Sequence, residues 1–366
     1  MGQQASRKID VVTARVLADI SRMRSMLKAG PGELYDASPF WNTLGQKHAE
    51  LIEEYGFGVF KRTINFEYNQ WGVQTFGDPK IRALLEGLWK RRRLPLRLLT
   101  TRAHRDAWAD VRWPDEIASD SGARLGTSSN TNTARRQLAY AFYVALLWAF
   151  AVLDDDLGAL AGISEPAIGA PIPITRGGRV ITQDLALSSL ELNRIARHVD
   201  LAKIHRVAEI GAGYGRLVHL FVNAFPEVEY SIFDIPPALA VAQHYLAAVL
   251  GNDVVAARWT DESLAGPETR VSTFLPYQLE SVPDDHFDLV INVSSLDEMS
   301  PEQVANYIDL IDRKCRGWLY LKGYSHNAAD ARRGLASFPY KERWSLLVRD
   351  VDPVVGAFEE RVYKLR

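Results

Sequence analysis

Val207-Ala208-Glu209-Ile210-Gly211-Ala212-Gly213-Tyr214-Gly215-Arg216-Leu217 constrains this chain more than any other segment. Its apolar start reads as a strand. Three glycines at alternate positions follow, and helical spacing then resumes through Leu217, Leu220 and Phe221. Glycine accepts the positive φ that a tight strand-to-helix turn demands, and the freed N–H groups at a helix start can face a ligand. About 20 residues on, Ser231-Ile232-Phe233 ends in Asp234, where a second strand would present a carboxylate to ribose hydroxyls. A nucleotide-type cofactor site is therefore expected, with Gly211, Ala212, Gly213, Gly215, Asp234 and the adjacent Ile235 around it.

A dinucleotide fingerprint reads G-x-G-x-x-G. Here the third glycine comes one residue early, and Arg216 stands where that pattern wants glycine. Glu209 also closes the strand with an acid, which is awkward beside a pyrophosphate but suits a cofactor carrying an ammonium and a sulfonium. Glu-x-Gly-x-Gly-x-Gly resembles the first motif of class I S-adenosylmethionine-dependent methyltransferases, which implies S-adenosylmethionine as the cofactor.

The following residues keep strand and helix alternating. Pro236 to Leu250 predicts a helix that Gly251 ends, and Val271-Ser272-Thr273-Phe274 a third strand. Leu275-Pro276-Tyr277 is then a loop where an adenine could rest, with Pro276 in the cofactor set. Phe287 to Val293, a helix from Pro301 to about Arg313, and Trp318 to Leu321 continue the series. Trp344 to Val348 and Arg361 to Leu365 could close the sheet as an antiparallel pair. Such alternation implies a mostly parallel sheet covered on both faces, with ligands beyond the carboxyl ends of its strands.

Residues 1–200 differ in kind. Ile9, Val12, Val16, Ile20, Met23 and Leu27 mark an amphipathic helix stopped at Gly30-Pro31-Gly32. Ser38-Pro39 starts another, carrying Phe40, Trp41, Leu44, His48 and Leu51 to about Gly56. Ile174 to Ile181 around Gly177-Gly178 reads as a hairpin. Leu138 to Leu153 is apolar but shorter than the about 20 residues a membrane span needs, so a buried core helix is expected and no membrane span. The fold class is thus α/β: a Rossmann-like class I methyltransferase sheet at 201–366 with a mainly helical N-terminal cap at 1–200.

Charge and cysteine content bound the partners. A net charge of -2 gives no general attraction to nucleic acid, and the basic run Lys90 to Arg97 reads as a solvated face. Cys315 is the one cysteine, so neither an intramolecular disulfide nor a cysteine zinc cluster can form, and a reducing cytoplasmic setting is the simplest one. Asp154-Asp155-Asp156 reads as the solvated end of an apolar helix, and no metal site is expected. A homo-oligomer is left open.

Beyond the cofactor motif, the chain is similar to the sugar O-methyltransferases of bacterial glycan and glycosylated natural-product pathways. The similarity runs from about residue 38 onward. It includes Glu209 to Gly215, Asp234-Ile235-Pro236, Ala242 to Leu246 and, above all, Ile291-Asn292-Val293-Ser294-Ser295-Leu296-Asp297-Glu298-Met299. Looser matches lie at Phe40-Trp41, Gln137 to Tyr143 and Glu165 to Pro171. Two positions depart from that family: Ala170, where a larger polar residue is usual, and Asp297, where glutamine is commoner.

The resemblance implies methyl transfer to a sugar hydroxyl, a sugar-containing acceptor as partner, and Asn292 within the cofactor set. Such transfer needs oxygen, methyl carbon and sulfur in line, and holding that geometry can supply roughly 7–11 kcal/mol. A general base beyond the fourth or fifth strand would help. Glu298, within the family stretch, is the first candidate; His326 has a suitable ordinary pKa, and Asp297 is the third. Either acid could instead cap the next helix, and His326 could be a loop residue. For the acceptor, Phe60 to Trp71 offers Arg62, Asn65, Tyr68 and Trp71, aromatic faces mixed with hydrogen-bonding groups, although hydrophobic packing would give a similar pattern. A polyketide or phenol hydroxyl as acceptor, and a cofactor-binding scaffold without catalysis, remain alternatives.

Overall fold

The computed structural model describes residues 9–64, 73, 75–91, 102–103, 133–172, 174–260, 269–326 and 333–366. The N-terminal region is mainly helical. Helix α1, Val11–Ala29, starts where Asp10 accepts hydrogen bonds from the Val12 and Thr13 N–H groups, and buries Val16, Ile20, Met23 and Leu27. Those residues recur at three- and four-residue spacing, the stripe a helix turns toward a core. Helix α2, Pro39–Tyr55, begins on the Ser38 cap with proline in its first turn. Short α3, Phe60–Thr63, and α4, Pro79–Lys90, follow.

Strand β1, Arg102–Ala103, pairs with the expected hairpin, β2 Ile174–Arg176 and β3 Arg179–Ile181. Between them in sequence, α5, Ala134–Asp154, buries every residue from Tyr143 to Ala151. By length and composition it is the one described helix apolar enough to cross a membrane, yet 61% of its most apolar window is buried inside the protein. Helix α6, Gln183–Ala196, was not singled out from the sequence, for a physical reason: Gln183 to Asn193 are all buried, so no polar stripe alternates with an apolar one.

The C-terminal half is the alternating sheet. Its elements are β4 Arg206–Ile210, α7 Arg216–Ala224, β5 Glu229–Phe233, α8 Ala238–Leu250, β6 Val255–Ala257, β7 Val271–Phe274, β8 Phe287–Val293, α9 Pro301–Lys314, β9 Cys315–Tyr324, β10 Ser345–Val351 and β11 Phe358–Lys364. They form an eight-stranded sheet in the order β10-β11-β9-β8-β4-β5-β7-β6. From β6 to β9 neighbours run parallel; β11 and β10 close one edge antiparallel, as the sequence suggested. The chain leaves β4 for β5 on one side and returns to β8 on the other, so the crevice above β4 is a topological switch point. Two elements depart from expectation. Strand β6 is only three residues of small side chains, too short to signal itself, and β9 extends three residues beyond its expected end at Leu321, to Tyr324, which pairs with Phe358 of β11.

Helix α6 joins the two halves. Leu192 and Ile195 lie in the core with Val207, Tyr230 and Leu289 of the sheet, while Leu185 and Leu187 pack with Val144 and Leu147 of α5. Charge locks the same junction. Arg216, at the start of α7, donates to Glu191 of α6 at 2.7 and 3.0 Å. Lys322 of β9 lies 3.2 Å from Glu191 and 2.6 Å from Asp352. Four charges enclosed together tolerate no missing partner. Glu191→Ala strands Arg216 and leaves Lys322 one carboxylate short, so urea unfolding should show a loss of roughly 3–5 kcal/mol; a change under about 1 kcal/mol would mean the network contributes little.

Candidate active site

The glycine turn is built as its composition demands. Gly211, Gly213 and Gly215 have φ of 76°, 61° and 83°, a region that side chains disfavour. A Cβ on Gly211 would overlap the Ser295 side chain, and one on Gly215 would come within 2.8 Å of Leu246. Residues at this turn must therefore be bare both for conformation and for space. Tyr214, between two of the glycines, is buried; its hydroxyl donates to Asp184 of α6 at 2.6 Å and its ring meets Phe60 and Tyr245 edge-on. The tyrosine pins the turn to the helical half.

Asp234 ends β5 beside this turn. Its carboxylate accepts the Gly213 N–H at 2.9 Å and its neighbour Ile235's N–H at 2.7 Å. Burial pushes its pKa up to about 7, against the two backbone donors, which pull it down. Glu209 lies deeper, between the sheet and α7, where Tyr230 donates to it at 2.8 Å. Burial raises Glu209 to about 7 as well, with Tyr230 and Arg216 opposing. Asn292 bridges the neighbouring strand ends: its amide donates to the Ile210 carbonyl at 2.7 Å and its oxygen accepts the Leu296 N–H. Pro276 is buried at the start of a tight helical turn after β7, and Tyr277 beside it lies against Gly30 at the end of α1.

The loop after β8 carries the acids. Asp297 is buried; Ser294 donates to it at 3.1 Å and the Tyr324 N–H at 3.3 Å. Glu298 is half-buried, and Trp41 of α2 donates its indole N–H to it at 2.6 Å. His326 is exposed at the end of β9. The structure thus brings Gly211, Gly213, Asp234, Asn292 and Asp297 together at the strand ends through the contacts above, with Glu298 next to Asp297 in sequence and held by Trp41.

Other expected positions fall elsewhere. Arg62 donates to the Ala170 carbonyl at 2.7 Å and so holds the turn in which Ala170 has a φ of 49°. Asn65, Tyr68 and Trp71 lie outside the described residues, as do residues 92–97 of the basic run. Asp154 and Asp156 pair with Arg197, and Asp155 caps the following turn through the Ala159 and Leu160 N–H groups. Among the described residues no group of three or more His, Cys, Asp or Glu is placed to hold a metal ion. His244 pairs with Asp19 of α1 at 2.8 Å, a packing role.

Sequence reasoning did not assign roles to Trp41, Tyr214, Ser295 or Asp184. The signal available for Trp41 was its place two residues after Ser38-Pro39, the start of a helix. Nothing local could show that this helix lies across the crevice. Gly45, one turn beyond Trp41 on the same side of α2, sits against Pro236 and Pro237, and Arg24 of α1 donates to its carbonyl at 2.7 Å. Ahead of α2, Gln303 of α9 donates to the Asp36 and Glu33 carbonyls.

Comparison with known proteins bears on this site. Residues 180–258, which span α6, the glycine turn, Asp234 and α8, match an O-methyltransferase domain family. No curated protein matches the sequence. Among solved structures, the chain is similar to magnesium protoporphyrin IX methyltransferase from Synechocystis PCC 6803 with bound SAM, at 15% identity over 50% of this chain and 83% of that one, with a TM-score of 0.35. It is also similar to a SAM dependent methyltransferase from Aquifex aeolicus, at 11% identity over 44% and 82%, TM-score 0.31. A third is the pyocyanin biosynthetic protein PhzM, at 16% identity over 49% and 56%, TM-score 0.34.

The two raised acids make stability depend on pH. Burial favours the neutral form of Asp234 over the ionised one, so its stabilising share is full below an ordinary 3.8 and is lost as pH rises through about 7. Glu209 behaves likewise between 4.5 and about 7. The melting temperature of the cofactor-free protein should therefore fall between pH 5 and pH 8 by more in the wild type than in Asp234→Asn. Equal slopes in the two proteins would show that Asp234 does not carry the effect.

Proposed function

We propose that this protein, whose residues 180–258 match an O-methyltransferase domain family, is an S-adenosylmethionine-dependent O-methyltransferase, and that its acceptor is a sugar hydroxyl of a glycan, polysaccharide or glycosylated natural product. The observation that carries the reading is the carboxylate of Glu298, in the stretch that resembles sugar methyltransferases, held by the indole N–H of Trp41, whose ring packs edge-on against the exposed Phe40. An aromatic face next to a proton acceptor suits a sugar, whose ring presents C–H groups to the aromatic and hydroxyls to the base.

The residues around the crevice fit the cofactor. Asp234 is a buried carboxylate already aimed by two backbone N–H groups, placed to take ribose hydroxyls. Gly211 and Gly213 leave backbone rather than side chain where the amino-acid portion of the cofactor would approach. Ile235 and Pro276 supply apolar walls on the β5–β7 side. Glu209 acts through Tyr230 and the strand rather than by reaching out, because its carboxylate is enclosed. When bound, S-adenosylmethionine supplies an electrophilic methyl group. Glu298 would take the acceptor's hydroxyl proton while the methyl passes from sulfur to oxygen and the sulfur is left as a neutral thioether, and Asp297, tied to Ser294 and β9, would hold the loop that carries Glu298.

Incubating the protein with isotopically labelled methyl donor and candidate glycans, then locating the label by mass spectrometry, tests the acceptor. Label on a sugar oxygen supports the reading; label confined to phenols or polyketides replaces it. Two variants test the machinery. Asp234→Ala should weaken donor affinity by about 1.5–3 kcal/mol in calorimetry, the value of a hydrogen bond to a charged group. Glu298→Gln should lower kcat by about 10²–10⁴-fold with donor affinity retained, and near-normal turnover would transfer the base role to His326 or Asp297.

A further inference from the structure

We propose that Trp41 is a positioning residue for methyl transfer: its indole N–H orients the Glu298 carboxylate, and helix α2 is the element that holds it in place. The inference rests on Glu298 being the general base. Trp41 Nε1 lies 2.6 Å from Glu298 Oε2, a short charge-assisted contact between residues far apart in sequence. A carboxylate on a flexible two-carbon stem has many rotamers. A fixed donor on one oxygen narrows that choice.

The donor is itself immobilised from four sides. Ser38 caps the helix by accepting the Trp41 N–H. Arg24 ties α1 to the Gly45 carbonyl, and Gln303 of α9 ties the segment before α2 to the base-bearing side of the sheet. A Cβ on Gly45 would stand 2.9 Å from Pro237, so α2 rests directly on the residues that follow Asp234. Helix α2 therefore spans the crevice mouth: one turn touches the cofactor side, the other the base. The Trp41 ring also packs edge-on against Phe40, which is exposed, and His48, which is buried. Asp297 beside Glu298 accepts from Ser294 and the Tyr324 N–H, and the Arg333 N–H donates to the Asp297 carbonyl.

A double-mutant cycle on the intact enzyme tests the assignment. Trp41→Phe keeps a ring for Phe40 and His48 but removes the donor. It should lower kcat about tenfold, with the KM for the methyl donor within about twofold of wild type. In the Glu298→Gln background the same change should cost nothing further, because there is no longer a base to orient. Trp41→His, which restores a ring N–H, should regain part of the lost kcat. Independent, multiplying losses in the double variant would mark Trp41 as merely structural and overturn the proposal, as would full activity of Trp41→Phe, or Trp41→His no better than Trp41→Phe. Should Glu298→Gln itself retain turnover, the base reading fails first and the positioning role with it; a normal Glu298→Gln loss with an unaffected Trp41→Phe sinks the positioning role alone.

Discussion

The hydrogen bond from the Gly213 N–H to Asp234 links the ends of the two central strands, and the crevice exists because of it. The three glycines of the turn carry no side chains with which to hold it, so its shape rests on Tyr214 and on neighbouring elements. Asp234 holds it from β5, Asn292 from β8 through the Ile210 carbonyl, and Tyr214 from beneath through Asp184. Ser295 fills the space a Gly211 side chain would need. In the proposed function, the same carboxylate that organises the turn would also take a ribose.

Burial sets the chemistry of that carboxylate. Enclosure raises both Asp234 and Glu209 toward neutrality, although each accepts hydrogen bonds that favour the ionised form. Desolvation outweighs two backbone donors at Asp234 because those donors are neutral dipoles, whereas Glu191 stays below its ordinary value under comparable burial because it faces the full charges of Arg216 and Lys322. Two buried acids on neighbouring elements thus differ in protonation for an identifiable reason.

The helical half does more than cover the sheet. Helix α6 shares its side chains between the α5 core and the sheet core, and its Glu191 is the counter-ion for the first residue of α7. Helix α1 packs on α8, and α2 rests on Pro237 after Asp234 and reaches Glu298 through Trp41. This end of the crevice is consequently made from both halves, and motion of α2 would shift the residues after Asp234 and the Glu298 loop together.

Local chemistry was enough to read the sheet. The strand-glycine-helix run at 207–217, Asp234 at a strand end, the Ser38-Pro39 cap and the hairpin at Gly177-Gly178 each act through neighbouring residues, and each stands where its residue types require. Sequence alone therefore determined the α/β class, the antiparallel closing pair and the position of the cofactor turn. Only tertiary structure decided what Arg216, Arg62 and Trp41 touch, since their partners lie 25, 108 and 257 residues away. Helix α6 escaped notice because a helix buried on every side loses the amphipathic stripe by which sequence reveals it. Contacts set by chain geometry at long separation leave no periodic trace, and the arrangement of α2 over the crevice is of that kind.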